Sequence, residues 1–457
     1  MNNAQGIVFK TSSGQYYTYI TATNQIITLD NQWYEQTVRD EKDVSIVFQH
    51  LEKSGINTHT VPERIDWQLS RKEYLSVIRH AIPALVLEIT QECTLRCDYC
   101  IYSGNYQGRR THSGKHMDWD TLKTAIDFYA SHSSDLNKVR ISFYGGEALI
   151  HFSLIKQAVN YINTVFAGKE VIINISSNGT TLTESVVIWL QENPDVSVTV
   201  TVNGWAHDKH RKLPNGQGSL KKIHENLMRI KQNYPDVWNR VDFLANAANY
   251  RELLEIREYY SEYIEKPPAL ITGITEEDGN DLIQKIVNTK AEKSITKQIE
   301  HLLYDEQDVY VLSNYQMELS EIASRLIGLR APVCVETASC MPCSEKLFVS
   351  ASGEFGICES VGVDNRLGNL YDGINIEWAE MLLSGAQTIF NSECRICWCQ
   401  RLCTMCYTGM RVLQDGSICL ADGFCNRMRS NIEENLRIFC EMSERKPSAL
   451  QVFQQDN

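Results

Sequence analysis

No stretch of this 457-residue chain has the roughly 18 consecutive apolar residues that a membrane-spanning helix needs. The amino terminus, Met1-Asn2-Asn3-Ala4-Gln5, lacks the basic-then-apolar layout of a secretory signal. Together these absences give the expectation of a cytoplasmic protein with no membrane partner. Positive charge is in short supply as well. Lys and Arg number 44 against 57 Asp and Glu, a net charge of -13. An acidic body does not suit a phosphate backbone, so no nucleic-acid partner is expected. No internal repeat or low-complexity tract appears. What remains is ordinary globular composition, 43% apolar and 22% charged, in a chain long enough for two or three domains. The departure from the ordinary is cysteine. There are fifteen, three of them at 93–100 and the other twelve after residue 333. In a cytoplasmic protein, clustered cysteines are more often metal ligands than disulfides.

The hydrophobic pattern divides the chain into four parts. Residues 1–80 read as a small α/β unit and its linker. Short strands are expected at 7–9, 16–20 and 25–29. A helix follows with Val44, Val47, Phe48 and Leu51 on one face and Gly55 placed to stop it. Residues 81–265 alternate strands (84–90, 139–144, 171–176, 196–202, 241–245) with helices. One helix runs over 119–130, with Asp118 as its cap; another is marked by Phe152, Ile155, Val159 and Ile162. That rhythm implies parallel strands with helices outside, hence an α/β barrel or open sheet whose chemistry gathers at the C-terminal strand ends. Lys266-Pro267-Pro268 marks a break before a mostly helical bridge over 266–333. Residues 334–457 hold the remaining cysteines.

The motifs fall at those strand ends. Directly after the apolar run 84–90 comes Cys93-Thr94-Leu95-Arg96-Cys97-Asp98-Tyr99-Cys100. Three thiols at relative positions 0, 4 and 7 can hold one metal cluster from one loop and leave one iron of a four-iron cluster without a protein ligand. The same spacing taken alone is also half of a zinc site. With the aromatic Tyr99, the stretch resembles the CxxxCxxC signature of the radical S-adenosylmethionine (SAM) family. Gly145-Gly146-Glu147 is similar to that family's GGE motif, and Ser177-Asn178 ends the third strand. Asn203-Gly204 with Arg211 resembles, less closely, a strand ending in Asp-Gly with an Arg nearby. The resemblance covers roughly 82–260 and implies a partial (β/α)6 TIM-like barrel. It also implies a [4Fe-4S] cluster on Cys93, Cys97 and Cys100, with SAM on the open iron as the source of a 5′-deoxyadenosyl radical. Contacts to SAM would come from Gly145, Gly146, Glu147, Ser177, Asn178 and Arg211.

Later in the chain, Cys340 is followed by twelve residues, Gly353, four residues and Cys358. Then comes Cys394-x2-Cys397-x5-Cys403-x2-Cys406, and finally Cys419 and Cys425. This resembles the SPASM domain of peptide-modifying radical SAM enzymes, which carries two auxiliary four-iron clusters. The family commonly has three residues where this chain has Thr404-Met405. The resemblance implies three clusters in all. Cys394, Cys397, Cys403 and Cys425 would hold the outer auxiliary cluster, with Cys419 a rival to Cys425. Cys340, Cys358 and Cys406 would hold the inner one, its fourth ligand Cys334, Cys343 or none. Cys399 and Cys440 read as ordinary buried thiols. Glu359 stands where related sulfatase-maturating enzymes have a proton acceptor, with a solvent-facing carboxylate as the alternative. A zinc-ribbon-like double site is the plain alternative for the whole set.

The wording around 394–407 looks most like thioether-forming (sactipeptide and ranthipeptide) maturases. The expectation is a thioether from a Cys to a carbon of another residue in a ribosomally made precursor peptide. Within the same family a carbon–carbon or ether crosslink, an epimerisation or a formylglycine remain open. A noncatalytic metal-cluster module that binds peptides is the alternative of another class. Expected partners are a precursor peptide with its leader and a reductant such as flavodoxin or ferredoxin. The first 80 residues are compatible with a winged-helix-like element that captures a leader by strand addition, or with an extension that packs on the core.

Overall fold

The computed structural model describes residues 5–38, 44–58, 62–105, 110–274, 290–325, 327, 334–337, 339–361, 365–413 and 415–454, with the backbone alone at 290–293, 334–336, 451, 452 and 454. The first four residues of the stretch read for a signal, and positions 275–289 of the expected helical bridge, lie outside the described residues. No helix among the described residues is long and apolar enough to cross a membrane.

Strands β1 (Gly6–Lys10), β2 (Tyr16–Ile20) and β3 (Gln25–Thr28) form an antiparallel sheet in that order. Both its faces are covered. Tyr16, Ile20, Tyr34, Val47, Phe48 and Leu51 fill the side under the helices Asn31–Thr37 and Ser45–Lys53. Phe9 and Tyr19 face the other way, onto Trp398, Cys399, Leu402, Leu436 and Cys440. The sheet is thus docked on the cysteine-rich part of the chain. Thr21 Oγ1 donates to the Trp398 carbonyl at 2.6 Å, and Arg401 Nη1 donates to the Thr21 carbonyl at 3.3 Å.

β4 (Arg64–Asp66) pairs with a later segment, and the helix Arg71–His80 leads to the central sheet. Ser70 and Glu73 close a reciprocal capping box at the start of that helix. The central sheet begins with β5 (Ala84–Thr90), which has a buried residue at every position after the first, as a strand covered on both faces requires. A two-residue strand β6 (Arg96–Cys97) follows, then the helix Trp119–His132, capped by Asp118 accepting from Thr121 N at 2.8 Å. Next come β7 (Lys138–Gly145), β8 (Glu170–Ser177), β9 (Val196–Thr201), the short β10 (Arg211–Lys212), β11 (Val241–Ala247) and β12 (Leu270–Gly273). Parallel neighbours need crossovers, which the helices Phe152–Val165, Glu184–Glu192 and Leu220–Asn233 supply.

β13 (Cys334–Glu336) is the partner of β4, in parallel. β14 (Leu347–Val349) and β15 (Phe355–Gly356) then join the central sheet. Its order is β12-β11-β9-β8-β7-β5-β14-β15, parallel throughout except for the last pair. The fold is therefore α/β with six sequential parallel strands. The cysteine-rich region extends this sheet beside β5, the strand that launches the first cysteine loop. Because β5, β7, β8 and β9 run in one direction, Cys93, Gly145, Ser177 and Asn203 all emerge at one end.

Candidate active site

The first cysteine loop is held by backbone contacts that demand glycine. A Cβ on Gly145 would fall on the Thr90 carbonyl, and one on Gly146 on the Glu92 carbonyl. Gly146 N donates to Thr90 O at 2.7 Å and Glu147 N to Glu92 O at 2.8 Å. The sequence suggested that these glycines admit a ligand. What they approach in the structure is the chain entering Cys93.

Glu147 is fully buried, and its carboxylate is taken up by protein. Oε1 accepts from Ser177 Oγ at 2.9 Å and from Thr181 Oγ1 at 2.6 Å, while Oε2 accepts from Asn178 N at 2.7 Å. A carboxylate offers about four acceptor positions, so little is left for a ligand ammonium. Burial pushes its pKa up against these bonds. Its position makes it the clamp that joins the ends of β7 and β8. The clamp aims Asn178, whose Nδ2 donates to Thr94 Oγ1 at 2.9 Å and reaches Cys93 Sγ at 3.5 Å.

The thiols of Cys93, Cys97 and Cys100 are partly buried. Leu95 N and Tyr102 N each donate to a sulfur, Cys93 and Cys100 respectively, at 3.4 Å. Burial pushes the Cys93 thiol up to about 12 and the Cys100 thiol up to about 11. Thiols so placed ionise only when a positive charge arrives, as a coordinating metal provides. Arg211 is brought to the same loop because β10 pairs with β6, Arg211 opposite Cys97. Its guanidinium is buried yet held charged by Tyr99 and Cys97. Nη1 donates to Tyr99 Oη at 3.0 Å, and Asn203 Nδ2 reaches the same oxygen at 3.3 Å. Nε has no partner among the described residues. Thus the Asn203 and Arg211 elements, a loose match in sequence, converge on the aromatic residue inside the cysteine motif.

The later cysteines separate into two groups. Cys394, Cys397, Cys403 and Cys425 line one cavity of about 140 Å³. That is about ten times the space one water needs, far more than a single metal ion fills. Such a donor set and volume suit a polynuclear iron–sulfur group better than zinc. Cys419 stands exposed on the hairpin Met410–Val412/Ile418–Leu420, away from this lining. Sequence reasoning missed Cys399, which lines the same cavity with its sulfur 3.5 Å from that of Cys397. Arg429 Nη1 approaches Cys397 Sγ at 3.8 Å. The Cys399 thiol and this arginine together hold Cys397 below the ordinary thiol range.

In the second group, Cys340 and Cys358 lie around Lys346, and Cys406 lies near Cys340. Cys343 differs from these three in its burial. It is buried in the apolar core near Tyr74, with a left-handed backbone (φ 62°), and burial pushes its thiol up to about 12. Cys334 lies on β13, and its side chain falls outside the described residues. Glu359 is not solvent-facing in the plain sense. Both its carboxylate oxygens meet Lys346 Nζ, at 2.8 and 3.0 Å.

A buried network links the two ends of the chain's chemistry. Glu88, on β5, accepts from Tyr102 Oη at 2.6 Å and from Ala351 N at 3.0 Å. Arg110 Nη1 lies 3.1 Å from Glu88 Oε1, with both side chains nearly inaccessible (6% and 0%). Arg110 Nη2 donates to the carbonyl of Glu359, next to Cys358. Neither Arg110 nor Lys346 carries a local sequence signal, since each acts on residues far away in the chain.

Comparison with known proteins places this geometry. Residues 87–246 match the family model described as the Radical SAM superfamily. An uncharacterised protein of Methanocaldococcus jannaschii is 32% identical over 148 residues, 32% of this chain and 48% of that protein. A cysteine-type anaerobic sulfatase-maturating enzyme of Clostridium novyi is 26% identical over 184 residues, 39% of this chain and 48% of the enzyme. The chain thus spans about half the length of the curated relatives it matches. Among solved structures, native anSMEcpe with bound AdoMet superposes with a TM-score of 0.58 at 18% identity, covering 81% of this chain and 99% of that one. This likeness is one of fold. On the family match, the sheet and the three-cysteine loop at its C-terminal edge, residues 87–246 are a radical SAM domain.

Proposed function

We propose that the chain is a radical SAM maturase that installs a thioether between a cysteine and a carbon of another residue in a ribosomally made precursor peptide. The observation that carries the reading is Arg110. It ties Glu88, on the strand that launches the first cysteine loop, to the Glu359 carbonyl beside Cys358. Together with the pairing of β14 on β5 and the Ala351 N bond to Glu88, this buried side chain supports reading the first cysteine loop and the Cys358 region as parts of one reaction site. Relatives support a peptide as substrate. The Clostridium novyi protein is a sulfatase-maturating enzyme. The anSMEcpe fold is also known with bound AdoMet and the Cp18Cys peptide.

When bound, SAM with a [4Fe-4S] cluster would supply radical hydrogen-abstraction chemistry. The chain's own residues do the rest. Cys93, Cys97 and Cys100 would hold the cluster, while Leu95 N, Tyr102 N and the Asn178 amide donate to sulfur and favour its charged form. Glu147 fixes the 177–181 loop, and Arg211 presents a cation beside Cys97. Cys340, Cys358 and Cys406 would form the inner auxiliary site, its fourth ligand Cys334 or none. Cys394, Cys397, Cys403 and Cys425 form the outer site. Glu359, whose carboxylate meets Lys346 Nζ at 2.8 and 3.0 Å, would accept a substrate proton. In the N-terminal sheet β3 is an edge strand, paired among the described residues with β2 alone, where a leader peptide can add in register.

The test is mass spectrometry of a candidate precursor after anaerobic reaction with the enzyme, SAM and reductant. Loss of two hydrogens per modification, with the cysteine protected from alkylation, supports the thioether. An unchanged mass with deuterium uptake from solvent indicates epimerisation and sinks it. The Clostridium novyi likeness together with Glu359 favours one second reading, formylglycine formation, which replaces the cysteine sulfur by an aldehyde oxygen.

A further inference from the structure

The outer cavity holds one thiol more than a four-iron cluster uses. Cys394, Cys397, Cys399, Cys403 and Cys425 all line it. Cys399 sits between two of the others. Its sulfur is 3.5 Å from that of Cys397, and Cys403 lies beside it. It is 2% exposed, so solvent does not compete for it. The segment carrying it is pinned from outside. Thr21 Oγ1 binds the Trp398 carbonyl, Arg401 reaches the Thr21 and Ala22 carbonyls, and Tyr19 meets Trp398 edge-on at 6.2 Å. A cysteine has a single side-chain torsion with three staggered wells, so on a fixed backbone its sulfur reaches only a few set positions.

We propose that Cys399 is a reserve ligand of the outer auxiliary cluster, able to replace Cys397 or Cys403. This rests on the reading of that cavity as an iron–sulfur site. Exchange breaks one iron–thiolate bond and forms another. The proton of the incoming thiol passes to the outgoing thiolate, and no electron changes hands. The N-terminal sheet, by gripping Trp398 and Arg401, keeps Cys399 within reach.

The experiment is anaerobic reconstitution of the full chain with iron and sulfide, read by iron and acid-labile sulfide content and by low-temperature electron paramagnetic resonance of the reduced clusters. Four proteins are compared: wild type, Cys397→Ala, Cys399→Ala and Cys397→Ala/Cys399→Ala. We expect the single variant to keep the wild-type iron content with an altered resonance, and the double variant to lose about four irons per chain. A Cys399→Ala variant alone keeps all its iron and the wild-type resonance. Loss of the four irons already in Cys397→Ala overturns the proposal, as does full retention in the double variant. If the wild type binds stoichiometric zinc and no iron, it is the cluster reading that fails, and the two failures are told apart. Circular dichroism of each apoprotein shows whether a loss reflects misfolding. Should Cys397→Ala not fold, Cys403→Ala and Cys403→Ala/Cys399→Ala repeat the comparison on the other neighbour.

Discussion

Replacing Arg110 by methionine tests the link between the two halves of the molecule. The guanidinium lies 3.1 Å from Glu88, and both side chains are nearly inaccessible. At that separation the attraction is about 5 kcal/mol for an effective dielectric constant near 20. Desolvation of the two ions offsets much of it, so the pair itself contributes little net stability. Breaking it is another matter, because a buried carboxylate is left without its cation, at a cost of about 3–5 kcal/mol. Glu88 keeps bonds from Tyr102, Gln91 and Ala351 N, which puts the expected cost at the lower end, about 3 kcal/mol. Arg110 also stacks over Tyr102 and Phe348, at 4.8 and 4.7 Å from the ring centroids, and methionine retains part of that packing. The double variant Glu88→Gln/Arg110→Met removes both charges and should recover at least about 1 kcal/mol over Arg110→Met. Anaerobic urea denaturation of the full-length apoprotein measures all three. A cost below about 0.5 kcal/mol for Arg110→Met, the value of an exposed pair, would refute the argument. So would strict additivity of the two substitutions.

Four further outcomes follow from the same geometry. Gly146→Ala places a methyl on the Glu92 carbonyl, so it should destabilise by about 1–3 kcal/mol and lower iron binding at the first loop; an unchanged melting curve would count against the contact. His210 is pushed up to about 9 by Asp98 and Glu252, at 2.9 and 3.1 Å. Since its folded pKa is raised, its contribution is full below about pH 6.5 and lost as pH rises through about 9, so the stability gap between wild type and His210→Asn should close over that window. Cys343→Ala should leave the iron content unchanged, whereas Cys358→Ala should lower it; iron loss in Cys343→Ala would return that thiol to the inner site. Glu359→Gln should lower peptide modification by about 10²–10⁴-fold while SAM cleavage continues, and unchanged product formation would remove the proton-acceptor role.

Much of the site is legible in the sequence because it is local. Thiols at 93, 97 and 100 share one loop, and the strands that carry Gly145 and Ser177 announce themselves by the alternation Val139, Ile141, Phe143 and by the run Val171-Ile172-Ile173. Helix caps such as Asp118 act within three residues. These features need only the chain's own spacing and the periods of helix and strand. Cys394, Cys397, Cys403 and Cys425, which the family resemblance groups, line one cavity together with Cys399.

What spacing leaves open is decided where distant segments meet. Cys343 and Cys334 were equal candidates along the chain, and only packing puts Cys343 in the apolar core beside Tyr74. Cys399 looked like a small hydrophobe, and one of its sides does face an apolar cluster; the other side faces the cavity. Glu147 reads as a ligand contact until the ends of β7 and β8 meet and Ser177, Asn178 and Thr181 fill its lone pairs. Glu359 gains Lys346, and Glu88 gains Arg110, across gaps that no sequence period encodes. The sequence alone thus determined the chemistry this protein can hold, because ligand type and local spacing are properties of short segments. The tertiary structure alone decided which side chains are free to use it, because burial and pairing are settled only when every segment competes for the same buried space.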